Sequence, residues 1–106
     1  KPNNIKRLNV PGSFELVYGS KKMIQSKVDV VIAIGCVIKG ETEHFDYICK
    51  SVSKGIVDLN INFDTPVVFC VLTDNNVQQS IDRSGGIHGN KGVEAAITAL
   101  KLANLN

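Results

Sequence analysis

The sequence predicts an α/β fold in which a parallel sheet carries helices on both faces. Two continuous apolar runs, V-V-I-A-I at residues 30–34 and V-V-F-C-V-L-T at residues 67–73, are typical of strands buried on both sides. After each run, apolar residues recur every three or four positions, which is the period of a helix. Because strands and helices alternate along the chain, we expect the strands to lie parallel.

The composition indicates one domain over residues 1–106. Hydrophobic residues make up 43% and charged residues 21% of the chain, and no apolar run approaches the ~18 residues of a membrane span. The net charge of +2 comes from scattered basic residues without a stripe, which argues against a nucleic-acid-binding surface. Cys36, Cys49 and Cys70 each lie in an apolar pattern, so we expect buried thiols and no disulfide framework. These features are typical of a cytosolic protein.

The first part of the chain predicts an edge strand and a helix. Residues 5–10 alternate apolar and polar side chains, as in a strand with one face in solvent. The sequence starts at Lys1 with no earlier element to pair with this strand, so we expect further chain before it. Pro11-Gly12 ends the strand, and Ser13 is suited to cap a helix that runs to about Ser26. Its apolar positions are Phe14, Val17, Tyr18, Met23 and Ile24.

The central part predicts a buried strand followed by a long helix. The strand covers residues 28–35 and ends at Gly35. The helix covers residues 44–63, with Thr42 or Glu43 as its N-terminal cap. Its apolar stripe comprises Ile48, Val52, Ile56, Leu59 and Phe63. Thr65-Pro66 then breaks the helix.

The last part predicts a second buried strand and two helices. The strand covers residues 67–73, and Asp74-Asn75-Asn76 turns the chain into a short helix over residues 77–84. Gly85, Gly86 and Gly89 make a flexible break before Asn90, which caps a final helix. Its expected apolar stripe comprises Val93, Ala96, Ile97, Leu100 and Leu102.

The turn after the first buried strand predicts an anion site. Strand, glycine turn and helix N-terminus together present backbone N–H groups that bind phosphate. The spacing from Gly35 through Gly40 to Glu41 and Thr42 nearly matches a P-loop, but Glu41 stands where that loop has lysine. A carboxylate there repels the outer phosphates of a nucleoside triphosphate, so a smaller phosphate is the expected ligand. No G-x-G-x-x-G follows a strand, so the dinucleotide fingerprint is absent.

His44 is the candidate acid/base residue. It follows the carboxyl end of a parallel strand, where open α/β sheets bind ligands, although a lone histidine is more often structural. His44, Asp46 and Cys49 do not share one helical face, so they make a poor set of metal ligands. By position alone, Arg83 is a surface charge and Glu15 is a carboxylate at a helix start.

Three motifs stand in order along the chain. They are V-P-G-S-F-E at residues 10–15, G-C-V-I-K-G-E-T at residues 35–42 with H-F-D-Y at residues 44–47, and Arg83 followed by G-N-K-G at residues 89–92. Together they resemble the lumazine synthase (6,7-dimethyl-8-ribityllumazine synthase) family of riboflavin biosynthesis, over nearly the whole chain. The resemblance implies a flavodoxin-like three-layer sandwich whose parallel sheet has the order 2-1-3-4.

The resemblance also implies an activity and residue roles. The activity is condensation of 5-amino-6-ribitylamino-uracil with 3,4-dihydroxy-2-butanone 4-phosphate, without a metal or an organic cofactor. His44 would move protons during imine formation, phosphate loss and ring closure. The substrate-binding residues would be Ser13, Phe14 and Glu15 for the ribityl chain and Val37, Ile38 and Phe69 for the pyrimidine, and the phosphate-binding residues would be Glu41, Thr42 and Arg83.

The implied assembly is a pentamer, or a larger icosahedral shell built of pentamers. Each active site would lie between neighbouring subunits, with Phe69 reaching across, so that its ring is only partly covered in an isolated chain. Riboflavin synthase is the further partner that the resemblance implies, and the location is the cytoplasm or, for a plastid form, the plastid. Neither a nucleic-acid nor a membrane partner is expected.

Two features depart from the family pattern. The family has an N-terminal central strand, whose end supplies an aromatic residue that stacks on the pyrimidine, and a helix after it; Lys1 lies beyond both. Ile87 stands where a lysine is common.

Two alternative functions remain open at this point. One is a non-catalytic member that holds a flavin-like ligand or forms a shell, which would need neither His44 nor Arg83. The other is a flavodoxin-like redox domain, against which stands the absence of a flavin-phosphate loop rich in serine and threonine.

Overall fold

The structure, a computed structural model, describes residues 2–40, 43–86 and 89–105. A 3-10 turn at Pro2–Asn4 is followed by a second at Ser13–Glu15, which leads directly into the first α-helix. The remaining elements are α1 (Leu16–Gln25), β1 (Val31–Ile38), α2 (His44–Asn62), β2 (Val67–Asp74), α3 (Val77–Arg83), β3 (Ser84–Gly86), β4 (Gly89–Asn90) and α4 (Lys91–Ala103). The alternation of strands and helices predicted from the sequence is confirmed.

The main sheet is a parallel pair formed by β1 and β2. All eight residues of each strand are in register, from Val31 opposite Val67 to Ile38 opposite Asp74. The pairing continues past the strand end, because the backbone N–H of Lys39 donates to the carbonyl oxygen of Asp74 at 2.8 Å. Within residues 2–40, 43–86 and 89–105, the second edge of β1 has no strand beside it. The short strands β3 and β4 form a separate antiparallel hairpin.

The main sheet separates two apolar clusters, which makes three layers. On one face, α1 and α2 cover the strands, and Val52, Ile56 and Leu59 of α2 are buried against Val31, Ala33, Val67 and Val71. On the other face, Ala95 and Ala99 of α4 are buried against Val68 and Cys70. The predicted flavodoxin-like three-layer arrangement with a parallel sheet is confirmed.

Glycines set how closely the layers approach. A Cβ built at Gly55 of α2 would lie 2.5 Å from a methyl group of Val17, so only glycine lets α1 and α2 touch here. A Cβ at Gly35 of β1 would lie 2.9 Å from both Leu16 Cδ1 and Ser13 Oγ. The segment that starts α1 therefore lies directly on β1, and a strand glycine marks the close approach.

Two of the strand predictions were wrong. Residues 5–10 form no strand, because a strand needs a hydrogen-bonded neighbour and the described chain offers none. Leu8 and Val10 instead lie beside Gly19 of α1. The first buried strand runs from Val31 to Ile38, three residues later than predicted, because Gly35 lies within the strand and does not end it.

The predicted face of the last helix was also largely wrong. Val93, Ile97 and Leu100 are 56%, 49% and 68% exposed, while the sheet is covered by Ala95 and Ala99, with Leu102 packed beside them. Small side chains let α4 lie close to the strands, which leaves the larger apolar residues outside. For the first helix the prediction was partly right: Val17, Met23 and Ile24 pack against the core cluster. Tyr18 of α1 and Phe14 of the preceding turn are exposed instead, and Gly19 and Ser20 are buried.

The helix caps at the carboxyl end of the chain are as predicted. The Asn76 side chain accepts a hydrogen bond from the backbone N–H of Gln79 at 2.9 Å, and the Asn90 side chain accepts one from Val93 at 3.1 Å. The apolar stripe of α2 is confirmed for Ile48, Val52, Ile56 and Leu59. Phe63 follows the end of the helix and is 38% exposed, so its place in the stripe was predicted wrongly. In the described part of the chain, no helix has the length and apolar character needed to cross a bilayer.

We expect Gly55→Ala to lower the free energy of unfolding by about 1–3 kcal/mol, because the added methyl group collides with Val17. Helix propensity alone would give the opposite sign, a gain of about 1 kcal/mol. Urea unfolding followed by circular dichroism measures the change. The control is Ser53→Ala, at an exposed position of α2. In the Gly55→Ala protein, the further change Val17→Ala should recover most of the lost stability. A more stable Gly55→Ala protein would show that α1 and α2 are not held this close.

Candidate active site

The candidate site lies where β1 and β2 end. Ile38 and Asp74 are opposite each other at this edge, and α2 begins shortly afterwards at His44. The N-terminus of a helix carries partial positive charge and unsatisfied N–H groups, which suits an anion. Glu41 and Thr42, the expected phosphate-binding residues of the intervening turn, lie outside the described residues, so their role stays a prediction.

Ser13, Phe14 and Glu15, the predicted ribityl-binding residues, lie beside β1. They make up the 3-10 turn before α1, which is closed by the backbone N–H of Glu15 donating to the carbonyl oxygen of Gly12 at 3.1 Å. Ser13 lies against β1, since its Oγ would be 2.9 Å from a Cβ at Gly35. Phe14 is 52% exposed, whereas Ser13 and Glu15 are half-buried. The predicted ribityl-binding residues therefore lie beside the strand that leads to the anion site.

Val37 and Ile38 are the last two residues of β1 and are both half-buried. Val37 packs against the apolar cluster between the sheet and α2. Because side chains alternate along a strand, Ile38 is directed to the opposite face of the sheet. The two residues thus provide apolar surface at the strand end, on different faces, and their predicted contact with a pyrimidine remains untested.

His44 is the first residue of α2, and its side chain is exposed. It lines a depression of about 560 Å³ together with Glu43, Asp46, Tyr47 and Lys50. Glu43, one of the two expected caps of α2, stands at the N-cap position but makes no side-chain cap hydrogen bond. His44 is therefore accessible to a ligand beside a helix N-terminus, in a setting where it could give or take a proton.

Arg83 belongs to a polar network that the sequence did not predict. One guanidinium nitrogen, Nη1, pairs with Oδ1 of Asp74, whose side chain is fully buried. The other carboxylate oxygen of Asp74 accepts a hydrogen bond from Ser80 Oγ at 2.9 Å, and Ser80 Oγ lies 3.3 Å from Cys36 Sγ. The network links the ends of β1, β2 and α3. The available sequence signal was an acidic residue directly after an apolar strand, at the edge where α/β sheets bind ligands.

Phe69 lies in β2 and is 42% exposed. It lines a groove of about 580 Å³ along β2, which Arg83, Lys91 and Leu102 also line. The prediction that its ring is only partly covered in an isolated chain is confirmed, whereas its contact with a pyrimidine stays a prediction. Phe69 and Arg83 thus share one groove, while His44 lines a different depression.

The cysteines differ from one another in exposure. Cys70 is buried and Cys49 half-buried, but Cys36 is exposed, so the prediction of three buried thiols was wrong for Cys36. Burial raises the pKa of the Cys49 thiol, and the nearby carboxylate of Asp46 raises it further. Burial also raises the pKa of the Cys70 thiol, with Lys91 partly opposing the change. Among the described residues, no three His, Cys, Asp or Glu side chains are grouped as metal ligands.

Comparisons with family models and with individual proteins indicate the same family. Residues 1–106 match the family described as 6,7-dimethyl-8-ribityllumazine synthase. Proteins with that name from Flavobacterium johnsoniae, Flavobacterium psychrophilum and Christiangramia forsetii are 70%, 68% and 64% identical over 98, 103 and 104 residues. These alignments cover 92%, 96% and 96% of this chain but 52%, 54% and 62% of the relatives. The chain therefore spans roughly half to three fifths of their length.

We expect Cys36 to react with iodoacetamide at pH 8 several-fold faster than Cys49 or Cys70, because Cys36 is exposed, whereas burial shields the other two thiols and raises their pKa, which lowers the population of the reactive thiolate. Raising the pH through 9 should speed labelling of Cys49 and Cys70, whose raised pKa values keep them protonated at pH 8. Peptide mass spectrometry of the folded protein gives the three rates, with labelling in urea as the control. Equal rates in the folded protein would contradict the assigned burial.

Proposed function

Since the chain belongs to the 6,7-dimethyl-8-ribityllumazine synthase family, we propose that the intact protein is a transferase that makes 6,7-dimethyl-8-ribityllumazine. Its substrates are 5-amino-6-ribitylamino-uracil and 3,4-dihydroxy-2-butanone 4-phosphate, and phosphate and water are released. The observation that carries the proposal is the family match over residues 1–106, which includes both candidate chemical groups, His44 and Arg83.

We assign acid/base chemistry to His44. Its exposed imidazole at the start of α2 can take a proton from the attacking amine and return protons as water and phosphate leave. The same helix N-terminus, with Glu41 and Thr42 before it, is the proposed phosphate subsite. The scheme involves no metal or organic cofactor, because the condensation moves protons and releases water and phosphate without net oxidation or reduction.

We assign the remaining contacts by chemistry. Arg83 binds the phosphate, since a planar guanidinium offers several N–H donors to its oxygens. Ser13, Phe14 and Glu15 hold the ribityl chain, and Val37, Ile38 and Phe69 present apolar surface to the pyrimidine.

The active site is proposed to lie between two subunits. His44 lines one depression, whereas Phe69 and Arg83 line the groove along β2. One subunit would therefore contribute the depression with His44, and its neighbour would contribute the groove. The exposed apolar residues Val93, Ile97 and Leu100 on α4 support self-association, since contiguous apolar surface is typical of interfaces. The proposed assembly is a pentamer or a multiple of five, such as an icosahedral shell, in the cytoplasm, with riboflavin synthase as a partner.

The domain is proposed to be completed by an N-terminal strand and helix outside residues 1–106. A strand added beside β1 would pair with its second edge, which has no neighbour in the described chain. It would also place side chains beside Ile34 on β1, which is 69% exposed. The added strand would supply the aromatic residue that stacks on the pyrimidine.

A non-catalytic shell protein is the alternative, favoured by the exposed apolar face of α4. An assay with full-length protein and both substrates separates the two functions, because lumazine has a characteristic absorbance. Steady formation of lumazine supports the enzyme. Assembly without any lumazine would favour the shell protein.

His44→Ala should slow turnover by about 10- to 1000-fold while the fold stays intact, because a positioned acid/base group contributes on the order of 100- to 10,000-fold and water replaces part of it. Steady-state kinetics measure the loss, and circular dichroism checks the fold. Added imidazole should restore part of the rate. An unchanged rate would remove His44 from the mechanism.

Arg83→Ala should raise the KM for the butanone phosphate by about tenfold or more and leave the KM for the pyrimidine nearly unchanged. Arg83→Lys should restore binding only in part, because lysine lacks the bidentate fork. Arg7→Ala, at the other arginine of this sequence, is the control and should change neither constant. Equal effects on both substrates would count against a phosphate role.

Sedimentation of the full-length protein should give a pentamer or a multiple of five, because each site needs two subunits. Phe69→Ala should weaken pyrimidine binding by roughly 5- to 50-fold, as loss of a buried aromatic contact does. Equilibrium titration with the pyrimidine substrate measures this. An active monomer would contradict the composite site.

A further inference from the structure

We propose that Asp74 is a positioning residue, whose buried carboxylate, held by Ser80, fixes the guanidinium of Arg83 for phosphate binding. The inference rests on the proposed function, in which Arg83 binds the phosphate of the substrate. It assigns a role to a residue that lies at the strand end and does not itself touch the phosphate.

Asp74 is the last residue of β2 and is buried, with 1% of its surface exposed. Each carboxylate oxygen has its own partner, since Oδ1 receives Arg83 Nη1 and Oδ2 receives the hydroxyl of Ser80. Its backbone carbonyl accepts a hydrogen bond from Lys39 at the end of β1. The carboxylate is therefore held in one position by both its side chain and its backbone.

A buried carboxylate is not needed to form this sheet edge. Removing a carboxylate from water is unfavourable unless it is paired, and an apolar residue of similar size would serve the strand at least as well. The burial of the Asp74 carboxylate is therefore explained by its interaction with Arg83.

Arg83 needs such support because of its location. It is the last residue of the short helix α3, directly before the glycine-containing strand β3, and its side chain is 42% exposed. A long side chain there has many rotamers, and binding a ligand must select one. Because the guanidinium is planar and rigid, holding Nη1 on Asp74 restricts the orientations that its other N–H groups can take. Those remaining donors are then oriented in advance for a phosphate.

The first test is Asp74→Asn, which keeps the size of the side chain but removes the charge that holds Arg83. We expect the KM for the butanone phosphate to rise about tenfold, the effect of losing one hydrogen bond between charged groups. The kcat and the KM for the pyrimidine should change less than about twofold. Asp82→Asn is the matched control, because Asp82 lies on the same helix and bonds Gln78 instead; it should behave as the parent protein.

A double variant separates positioning from a general structural role. In an Arg83→Ala background, Asp74→Asn should add less than about a twofold change in the KM for the phosphate substrate, because no guanidinium remains to be positioned. The same tenfold rise in both backgrounds would overturn the proposal. If Asp74→Asn fails to fold, Ser80→Ala takes its place, with an expected rise of about threefold and the same dependence on Arg83.

A measurement independent of activity distinguishes failure of this inference from failure of the proposed function. In ¹⁵N NMR of the full-length protein, the side-chain Nε–H signal of Arg83, assigned by its loss in Arg83→Lys, should have a high heteronuclear NOE. The side-chain Nε–H signal of Arg7, which is exposed, should have a low heteronuclear NOE. In Asp74→Asn, the Arg83 value should fall toward that of Arg7, and its shift on titration with inorganic phosphate should weaken. An Arg83 signal that stays ordered and responds equally to phosphate would overturn the positioning role, whether or not lumazine is formed.

Discussion

The in-register pairing of β1 with β2 is the constraint on which the site depends. Their eight paired residues bring Ile38 and Asp74 to the same edge, although α2 separates the strands in sequence. A parallel pair requires such a crossover, and its geometry places the start of α2 at this edge as well. His44 and the Asp74–Arg83 pair are therefore consequences of one topological arrangement. A slip of one residue in register would turn the side chains of a strand to the opposite face of the sheet, and it would separate His44 from the Asp74–Arg83 pair.

Small residues determine how the layers meet that sheet, and this choice shapes the surface. Gly35 and Gly55 admit Ser13 and Val17 at distances that any side chain would prevent. Ala95 and Ala99 do the same for α4 on the other face. The larger apolar residues of α4 consequently lie on the outside, where they form an exposed apolar surface. Close packing inside the domain and apolar surface outside it are thus two results of one residue pattern.

These packing choices explain which features the sequence could predict. The helix α2 and the strand β2 follow from apolar periods that are strong and local, and the asparagine caps follow from side-chain chemistry. The strand predicted at residues 5–10 depended on a distant partner that no local pattern reveals. The face of α4 was misassigned because apolar residues with helical spacing occur on two of its faces, and the face with Ala95 and Ala99 is the one that lies close to the sheet. Asp74 was missed because D-N-N after a strand is typical of a turn, and only its pairing with Ser80 and Arg83 makes its burial possible.

Mixing two defective subunits tests whether the site is shared between neighbours. Suppose that each site takes His44 from one subunit and Phe69 and Arg83 from its neighbour. Subunits with His44→Ala and subunits with Arg83→Ala can then complement each other. After the two full-length variants are unfolded together and reassembled in equal amounts, lumazine formation is measured at low butanone phosphate concentration. A site shared between subunits predicts recovery to about one quarter of the parent rate, since that fraction of the sites in a random mixture has both an intact His44 and an intact Arg83. Activity no greater than the average of the two separate variants would contradict a site shared between subunits.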